Sequence, residues 1–365
     1  MMGCDRCDEC RARGDSFCVY CGEMLAPLPR CGCDRCEECR TNGDTFCRFC
    51  GRKLTKDENP FLAIGFVVGM VTAVILTCLI SFEFIVAIWG IPTVLPELPD
   101  YGSTLIIVVP AIIDVVSFDG VLSQIYYILL IAAVAVSLAV FVYKAMIPLQ
   151  KLSKGDNKTI RETAFFEMPV LFAVLYAWEV IFLIVLQSAG VEINGLPDRE
   201  TWVWMYELLE ASVWEEVITR MLLIGLPMVL IAMIFDKEEK GSWRYLFGGF
   251  AIDRKVLVLI FFSATIFAAA HINSWGWWKF IPTFAFGLIT GYLFSRYGMY
   301  ATVLMHFLTD YIDSESWFFG TSDPVMTVFF IFVLSVACFP YTYIYVKKGI
   351  TSMRDIIKGQ NRDLR

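Results

Sequence analysis

Histidine and charged residues are scarce in this sequence. The chain has 365 residues, of which only two are histidines and only 18% are charged. A soluble globular domain carries about a quarter charged residues, whereas here 57% of the residues are hydrophobic. The composition therefore excludes an ordinary soluble protein and predicts a polytopic membrane protein with a small hydrophilic head. The net charge of −7 decides little, because the distribution of charge orients a membrane protein rather than its sum.

The N-terminal residues also lack the apolar stretch of a secretory signal peptide. Eleven of the 13 cysteines lie within the first fifty residues, in two near-copies that repeat every 29 residues. "CDRCDECRARGDSFCVYCG" begins at Cys4, and "CDRCEECRTNGDTFCRFCG" begins at Cys33. Such spacing fits either zinc sites or a disulfide framework. The two remaining cysteines, Cys78 and Cys338, lie in apolar runs and are interpreted as small buried hydrophobic residues.

Eight segments approach the length of about 20 apolar residues that spans a bilayer. They are residues 61–89, 121–147, 164–189, 219–235, 254–272, 279–296, 299–318 and 325–346. The fourth is short, and we expect it to continue from an amphipathic helix over 200–218. Segment 103–117 is apolar but is interrupted by Pro110 and Asp114, so we interpret it as re-entrant or interfacial. The predicted fold class is an all-α polytopic membrane protein with about eight transmembrane helices and two small N-terminal zinc-ribbon modules.

Lysine and arginine are distributed unevenly between the loops. They cluster before the first span, between spans two and three, between spans four and five, and in the tail after residue 346, whereas segments 90–103, 190–200 and 319–324 are poor in them. The positive-inside rule then predicts a multi-pass protein of the cell membrane with both termini in the cytoplasm. That compartment is reducing and disfavours disulfides.

A reducing compartment favours metal over disulfides for the cysteine-rich head. Four thiolates in two Cys-x-x-Cys pairs suit a tetrahedral Zn²⁺ ion, and two structural ions are predicted. The expected ligands are Cys4, Cys7, Cys18 and Cys21 in the first copy, and Cys33, Cys36, Cys47 and Cys50 in the second. Cys10 or Cys39 could replace one of these ligands, and the sequence leaves that open.

The predicted organisation follows from these features. It comprises zinc ribbon 1 (residues 1–29), zinc ribbon 2 (30–54), a linker (55–60), N-terminal transmembrane helices (61–160), a membrane-spanning core (161–346) and a cytoplasmic tail (347–365).

Several ionisable residues lie in or beside the apolar spans, where they mark functional sites. In "ASVWEEVITRMLLIG" (residues 211–225), Glu216 and Arg220 are four apart and can form an ion pair on one helix face. The side chain of Glu215 points about 100° away from that of Glu216 around the helix axis, so it can contact a different partner. Both histidines of the chain, His271 and His306, also lie in apolar spans. If three helices bring these side chains together, a carboxylate and two imidazoles can activate a water molecule as a nucleophile.

Three motifs carry a resemblance to a known family. "EExxxR" at Glu215–Arg220, "FxxxH" at Phe267–His271 and "HxxxD" at His306–Asp310 resemble the signatures of the CPBP family, which contains CAAX prenyl endopeptidases, Abi proteins and bacteriocin-processing proteases. The resemblance covers roughly residues 160–345. It implies an eight-helix intramembrane endopeptidase that hydrolyses peptide bonds without a catalytic metal.

The resemblance also implies roles for these residues. Glu215 with His271 would activate the water, and His306 with Asp310 would line the oxyanion side. Glu216, Arg220 and Phe267 would support the site.

Alternatives to this reading remain open. One glutamate and two histidines also form a zinc-ligand set, which would make the protein an intramembrane metalloprotease. The chain could instead be a non-catalytic scaffold or immunity-type protein whose ribbons recruit a partner. A proton-coupled transporter is weakened by the lack of a detectable inverted repeat.

The expected partners are the lipid bilayer and a peptide or protein substrate, with lipidated substrates among the candidates. A protein partner of the head is a further candidate. Nucleic acid is disfavoured, because the repeats carry no basic stripe.

Overall fold

The fold is taken from a computed structural model of the chain. It describes residues 4, 6–25, 38–39, 42, 44, 46–51, 60–109, 111–153, 155–193, 199–235, 241–312, 314 and 335–358. The chain divides into two compact units, Met1–Ile64 and Gly65–Arg365. The linker predicted at 55–60 and the predicted ligands Cys33 and Cys36 lie outside the described residues, apart from the helical start at residue 60.

The two cysteine repeats of the first unit pack against each other reciprocally. The first repeat contains the short helix α1 (Cys7–Ala12). A Cβ atom added to Gly51 would lie 2.5 Å from the ring of Phe17, and one added to Gly22 would lie 2.7 Å from the ring of Phe46. Both glycines have positive φ, which other residues rarely adopt. Each repeat thus supplies the ring that covers the glycine of the other.

The second unit is built mainly from long helices. They are α2 (Pro60–Trp89), α3 (Ile91–Val94), α4 (Leu98–Tyr101), α5 (Val121–Leu152), α6 (Asn157–Arg161), α7 (Ala164–Ser188), α8 (Thr201–Ile234), α9 (Arg254–Trp275), α10 (Phe280–Tyr297), α11 (Met299–Tyr311) and α12 (Pro340–Ile357). Short 3₁₀ helices occupy Ser242–Phe247 and Trp277–Lys279.

Five of the described helices are long and apolar enough to cross a membrane. They contain the first five predicted spans. The sixth predicted span forms α10, and the seventh forms α11, which at 13 residues falls short of the length that a crossing requires. Residues 325–334 of the last predicted span lie outside the described residues, and its residues 340–346 belong to α12. A multi-pass membrane protein is therefore supported, whereas the number eight is not confirmed.

Segment 103–117 departs from the predicted all-α fold. It forms a β-hairpin in which β1 (Ser103–Val109) pairs antiparallel with β2 (Ala111–Phe118), and a bulge interrupts the register between Leu105 and Ile106. β-Branched residues dominate both strands, and such residues favour extended structure. The segment interpreted as re-entrant or interfacial is thus a strand pair, and the all-α fold class does not hold for it.

Helix α8 carries the glutamate motif on an irregular stretch of backbone. Its hydrogen bonds widen to π-helical spacing over Ala211–Glu215 and Val217–Gly225. Such π-helical turns are rare and frequently occur at functional sites. The continuation of the fourth span from the predicted amphipathic helix is confirmed, because α8 is one helix from Thr201 to Ile234.

Helices α9 and α10 approach each other closely through small residues. A Cβ atom on Gly287 would lie 2.9 Å from Cα of Ala264, and one on Gly291 would lie 2.9 Å from Cγ2 of Ile260. Small residues permit this close helix packing in membranes. The contact fixes α9, which carries His271, against the neighbouring helices.

Candidate active site

A fully buried ion pair anchors the site on α8. Nε of Arg220 lies 3.2 Å from Oε2 of Glu216, and neither side chain is exposed to solvent. The two atoms are close without being aligned as a hydrogen bond. Arg220 also donates to the hydroxyls of Ser263 on α9 and Thr290 on α10. The guanidinium therefore connects three helices, as expected for a buried charge whose donors are shared among several acceptors.

The same glutamate holds His306 of α11. Nδ1 of His306 donates to Oε1 of Glu216 at 3.0 Å, which directs the opposite ring nitrogen toward the other glutamate. Nε2 of His306 lies 3.7 Å from Oε2 of Glu215. Glu216 thus orients the imidazole of His306 and also neutralises Arg220. The sequence spacing predicts only the contact with Arg220.

Glu215 lies between the two histidines. Its Oε2 atom is 3.9 Å from Nε2 of His271 and 3.7 Å from Nε2 of His306. This oxygen is buried and makes no hydrogen bond within the described structure. Nδ1 of His271 donates to the backbone carbonyl of Phe267 at 2.9 Å, so Nε2 is the ring nitrogen turned toward Glu215.

Asp310 completes the arrangement from the turn after His306. Its Oδ2 atom lies 3.5 Å from Nε2 of His306 and accepts a hydrogen bond from the hydroxyl of Ser212 at 3.0 Å. The helical spacing of His306 and Asp310 pointed to a shared face, and the structure brings the two side chains together. Ser212 lies three residues before Glu215 and was not identified from the sequence.

Phe267 packs against the ionisable residues at the centre of the site. Its ring centroid lies 4.7 Å from that of His271 and 6.1 Å from that of His306, with an edge-on arrangement in both cases. The guanidinium of Arg220 lies 5.3 Å from the same ring, within the range of a cation–π contact. Phe267 therefore fixes the separation of the two imidazoles.

A cavity of about 280 Å³ opens onto this cluster. Glu215 and His271 line it together with apolar residues of α8 and α9, and Thr104 and Ile106 of the hairpin form another part of its wall. A larger cavity of about 750 Å³ shares Thr104, Glu207 and Glu210 with it. The hairpin residues were missed because nothing in segment 103–117 indicates a contact with a motif about 100 residues further along the chain.

A second buried carboxylate lies elsewhere among the helices and is fully bonded. Oε2 of Glu167 on α7 accepts from the hydroxyls of Tyr292 and Tyr297 and lies 3.3 Å from Nε of Arg296. Nζ of Lys348 on α12 donates to the other oxygen at 2.7 Å. This cluster connects α7, α10 and α12.

The head holds a separate candidate metal site. The sulfur atoms of Cys4, Cys7, Cys18 and Cys21 all lie within 4.8 Å of one another. Two of the distances are 3.8 Å (Cys4–Cys18) and 3.5 Å (Cys7–Cys21), close to the roughly 3.8 Å between sulfurs of a tetrahedral zinc site with Zn–S bonds of about 2.3 Å. The thiols therefore fit a zinc ion.

The proton affinities of these thiols differ. Burial raises the pKa of Cys7. For Cys18, burial acts in the same direction, but hydrogen bonds from the backbone N–H groups of Tyr20 and Cys21 outweigh it and lower the pKa to about 6. Cys10 lies 3.7 Å from Cys18 and accepts a hydrogen bond from Arg13, but it is not part of the four-sulfur group.

Comparisons with known proteins bear on the membrane unit. Residues 197–312 match a family model described as Type II CAAX prenyl endopeptidase Rce1-like. No match is found among curated proteins, and none among solved structures. The matched segment contains all three motifs, from Glu215 to Asp310. Residues 197–312 of this membrane protein are therefore an Rce1-like domain of the CAAX prenyl endopeptidase family, which is a family of proteases.

Proposed function

We propose that this protein is an intramembrane endopeptidase of the CAAX-protease type that uses Glu215 as its general base. One observation carries the proposal: a single carboxylate oxygen of Glu215 lies within 4 Å of the Nε2 atoms of both histidines while making no hydrogen bond of its own in the described structure. Buried polar atoms are nearly always bonded. An unbonded carboxylate facing two imidazoles and a cavity is suited to bind a reacting water.

The proposed reaction begins with a water that donates one hydrogen bond to Glu215 and one to Nε2 of His271. Glu215 takes a proton as the water oxygen attacks the carbonyl carbon of the substrate. His306 acts as an imidazolium in this step: its Nδ1–H donates to Glu216, and its Nε2–H, with Asp310 alongside, donates to the negative oxygen of the tetrahedral intermediate. When the C–N bond breaks, the proton held by Glu215 passes to the leaving amine, which restores the carboxylate.

Metal-independent catalysis is the favoured form of this mechanism. Among the described residues, only the head cysteines form a group of three or more donor atoms within 4.8 Å of one another. The ligand atoms of Glu215, His271 and His306 do not all lie within 4.8 Å of one another. Retained cleavage after removal of tightly bound metal from the membrane domain would support this form, and loss of cleavage restored by Zn²⁺ alone would favour the metalloprotease instead.

The head is proposed to be a pair of zinc ribbons that each hold one structural ion. The measured distances support Cys4, Cys7, Cys18 and Cys21 as one ligand set. We expect two zinc ions per chain in the purified protein and one in a Cys4→Ser/Cys7→Ser variant, measured by elemental analysis. An unchanged zinc content in that variant would refute this ligand set.

The catalytic cavity is proposed to open on the extracytoplasmic side, with both termini in the cytoplasm. Residues 99–103 line the larger cavity, and segment 90–103, like segment 190–200, is poor in lysine and arginine. Such loops stay outside under the positive-inside rule. A cysteine at Glu192, which is exposed, should react with an impermeant maleimide in intact cells. A cysteine at Lys151 should react only after permeabilisation, and the reverse pattern would invert the topology.

The test of the proposed activity compares membranes from cells that make the wild type, Glu215→Gln and Glu192→Gln. Glu192 is an exposed loop carboxylate away from the cavity, so its variant is the matched control. We expect a membrane peptide or protein to be cut in cells with the wild type and the control and to stay intact with Glu215→Gln. If Glu215→Gln supports full cleavage, the proposed base is wrong. If no difference is found and residues 1–54 alone capture a partner, the scaffold function is favoured.

A further inference from the structure

An unpaired strand edge lies beside the proposed catalytic residues. β1 and β2 form a two-stranded sheet, so each strand has a strand partner on one side only in the described structure. Thr104 and Ile106 of β1 line the cavity that contains Glu215 and His271. Alternate residues of a strand share a face, so one face of β1 is turned toward the catalytic groups.

Two hydrogen bonds fasten β1 to helix α8 at this position. The indole N–H of Trp214 donates to the backbone carbonyl of Ile106 at 2.9 Å, and the hydroxyl groups of Ser103 and Tyr206 bond to each other. Because Trp214 directly precedes Glu215, the backbone of β1 is held at a fixed position relative to the proposed base.

The chemistry of peptide hydrolysis requires such a feature. A peptide bond within a helix is shielded by its neighbouring turns, and a segment unwound inside a membrane exposes N–H and C=O groups whose bonding in lipid must be replaced by protein. The edge of β1 that does not pair with β2 supplies backbone donors and acceptors for this purpose, apart from the carbonyl of Ile106, which already accepts from Trp214. Other proteins bind peptides by such strand addition.

We propose that the substrate segment next to the scissile bond binds in extended form along the free edge of β1, as a third strand of the hairpin. This rests on the proposed protease function. Recognition would then fall mainly on the substrate backbone, with alternate substrate side chains entering the 280 Å³ cavity lined by Ile106 and Trp275. Substrates with proline at a paired position would be excluded, because proline lacks the N–H group.

The first test uses a synthetic library of random 12-residue peptides, with reconstituted wild-type protein and its Glu215→Gln variant. If no peptide is cut in a Glu215-dependent manner, the proposed function itself fails. From a peptide that is cut, a series is made in which one backbone amide at a time is replaced by an ester, which removes a single N–H donor. Strand addition predicts that kcat/KM falls about three- to tenfold at alternate positions on one side of the cut. A uniform or absent effect along a peptide that is still cut would overturn the strand proposal alone.

The second test identifies the strand that the substrate contacts. A cysteine is introduced at Thr104, which lines the cavity, or at Ile113 of β2, which is 52% exposed and does not line it. Both are made in the Glu215→Gln background and mixed with the library peptide carrying a cysteine beside its cut site. Disulfide formation at position 104 at least about tenfold above position 113, read from the mass of the linked peptide, supports the proposal. Equal yields, or a higher yield at position 113, would contradict it.

Discussion

Glu167 and Glu215 are both partly or fully enclosed among the helices of the membrane unit, but their oxygens are bonded very differently. Glu167 is 2% exposed, and its carboxylate accepts from two tyrosines and a lysine with an arginine alongside. Glu215 has one buried oxygen with no hydrogen bond in the described structure, and its nearest basic nitrogens lie at 3.7 and 3.9 Å.

The difference separates a structural carboxylate from one that can react. A carboxylate whose lone pairs are all occupied ties helices together and has no capacity left for a water or a substrate. A buried carboxylate oxygen without a hydrogen bond costs stability, and such groups persist mainly at functional sites. Hydrogen-bond satisfaction, rather than burial or charge alone, therefore distinguishes the two glutamates.

Replacing Glu215 by glutamine should produce the largest functional effect in the molecule. Loss of a general base lowers a rate by about 10²–10⁴-fold, while the melting temperature should stay the same or rise, because an underbonded carboxylate is removed. Cleavage of the library peptide and thermal unfolding in detergent measure the two quantities. A clear loss of stability with this variant would make Glu215 structural and remove the contrast with Glu167.

Replacing Glu167 by glutamine should have the opposite signature. The positive charges of Arg296 and Lys348 would lose their anion, and removal of one partner from a buried ion pair costs about 3 kcal/mol or more. Because Lys348 is 41% exposed, we expect the free energy of unfolding to fall by about 3 kcal/mol, the lower end of that range. The catalytic rate per folded molecule should be unchanged. A rate loss as large as that of Glu215→Gln would show that this cluster also serves catalysis.

Replacing Asp310 by asparagine should lower the rate without changing stability much. An amide oxygen still accepts from Ser212, but the negative charge 3.5 Å from His306 is lost. We expect about a tenfold fall in kcat with little change in KM, since the charge acts on the imidazole rather than on substrate binding. Steady-state kinetics over a range of pH tests this. An unchanged kcat at every pH would show that Asp310 does not contribute to catalysis.

Contacts within one helix could be predicted from the sequence. The pairing of Glu216 with Arg220 and that of His306 with Asp310 both follow from a spacing of four residues, and both are found. The bond between His306 and Glu216 joins residues 90 positions apart. It depends on how α11 packs against α8, and spacing along the chain carries no information on that packing.

The hairpin and the cysteine-rich head also contain features that the sequence did not predict. The length of segment 103–117 and its interruption by Pro110 and Asp114 indicate a re-entrant or interfacial segment, but short apolar runs do not reveal whether the backbone is helical or extended. In the head, the cysteine pairs indicated each ribbon separately. The exchange of Phe17 and Phe46 between the repeats is a contact between modules, and nothing in either repeat alone specifies it.

Replacing Tyr292 by phenylalanine should change the free energy of unfolding least among these variants, and it tests whether the groups around Glu167 act as one network. Tyr292 donates to Oε2 of Glu167. Without its hydroxyl, Tyr297 still donates to this oxygen and Arg296 still lies 3.3 Å away as an ion-pair partner. The loss should be about 1 kcal/mol in the free energy of unfolding, with an unchanged rate of peptide cleavage. Combined with Glu167→Gln, the tyrosine change should cost less than it does alone, because the two groups share one interaction. Full additivity in this double-mutant cycle would mean that the hydroxyl does not act through Glu167, and the Glu167 cluster would then be a set of neighbours rather than a network.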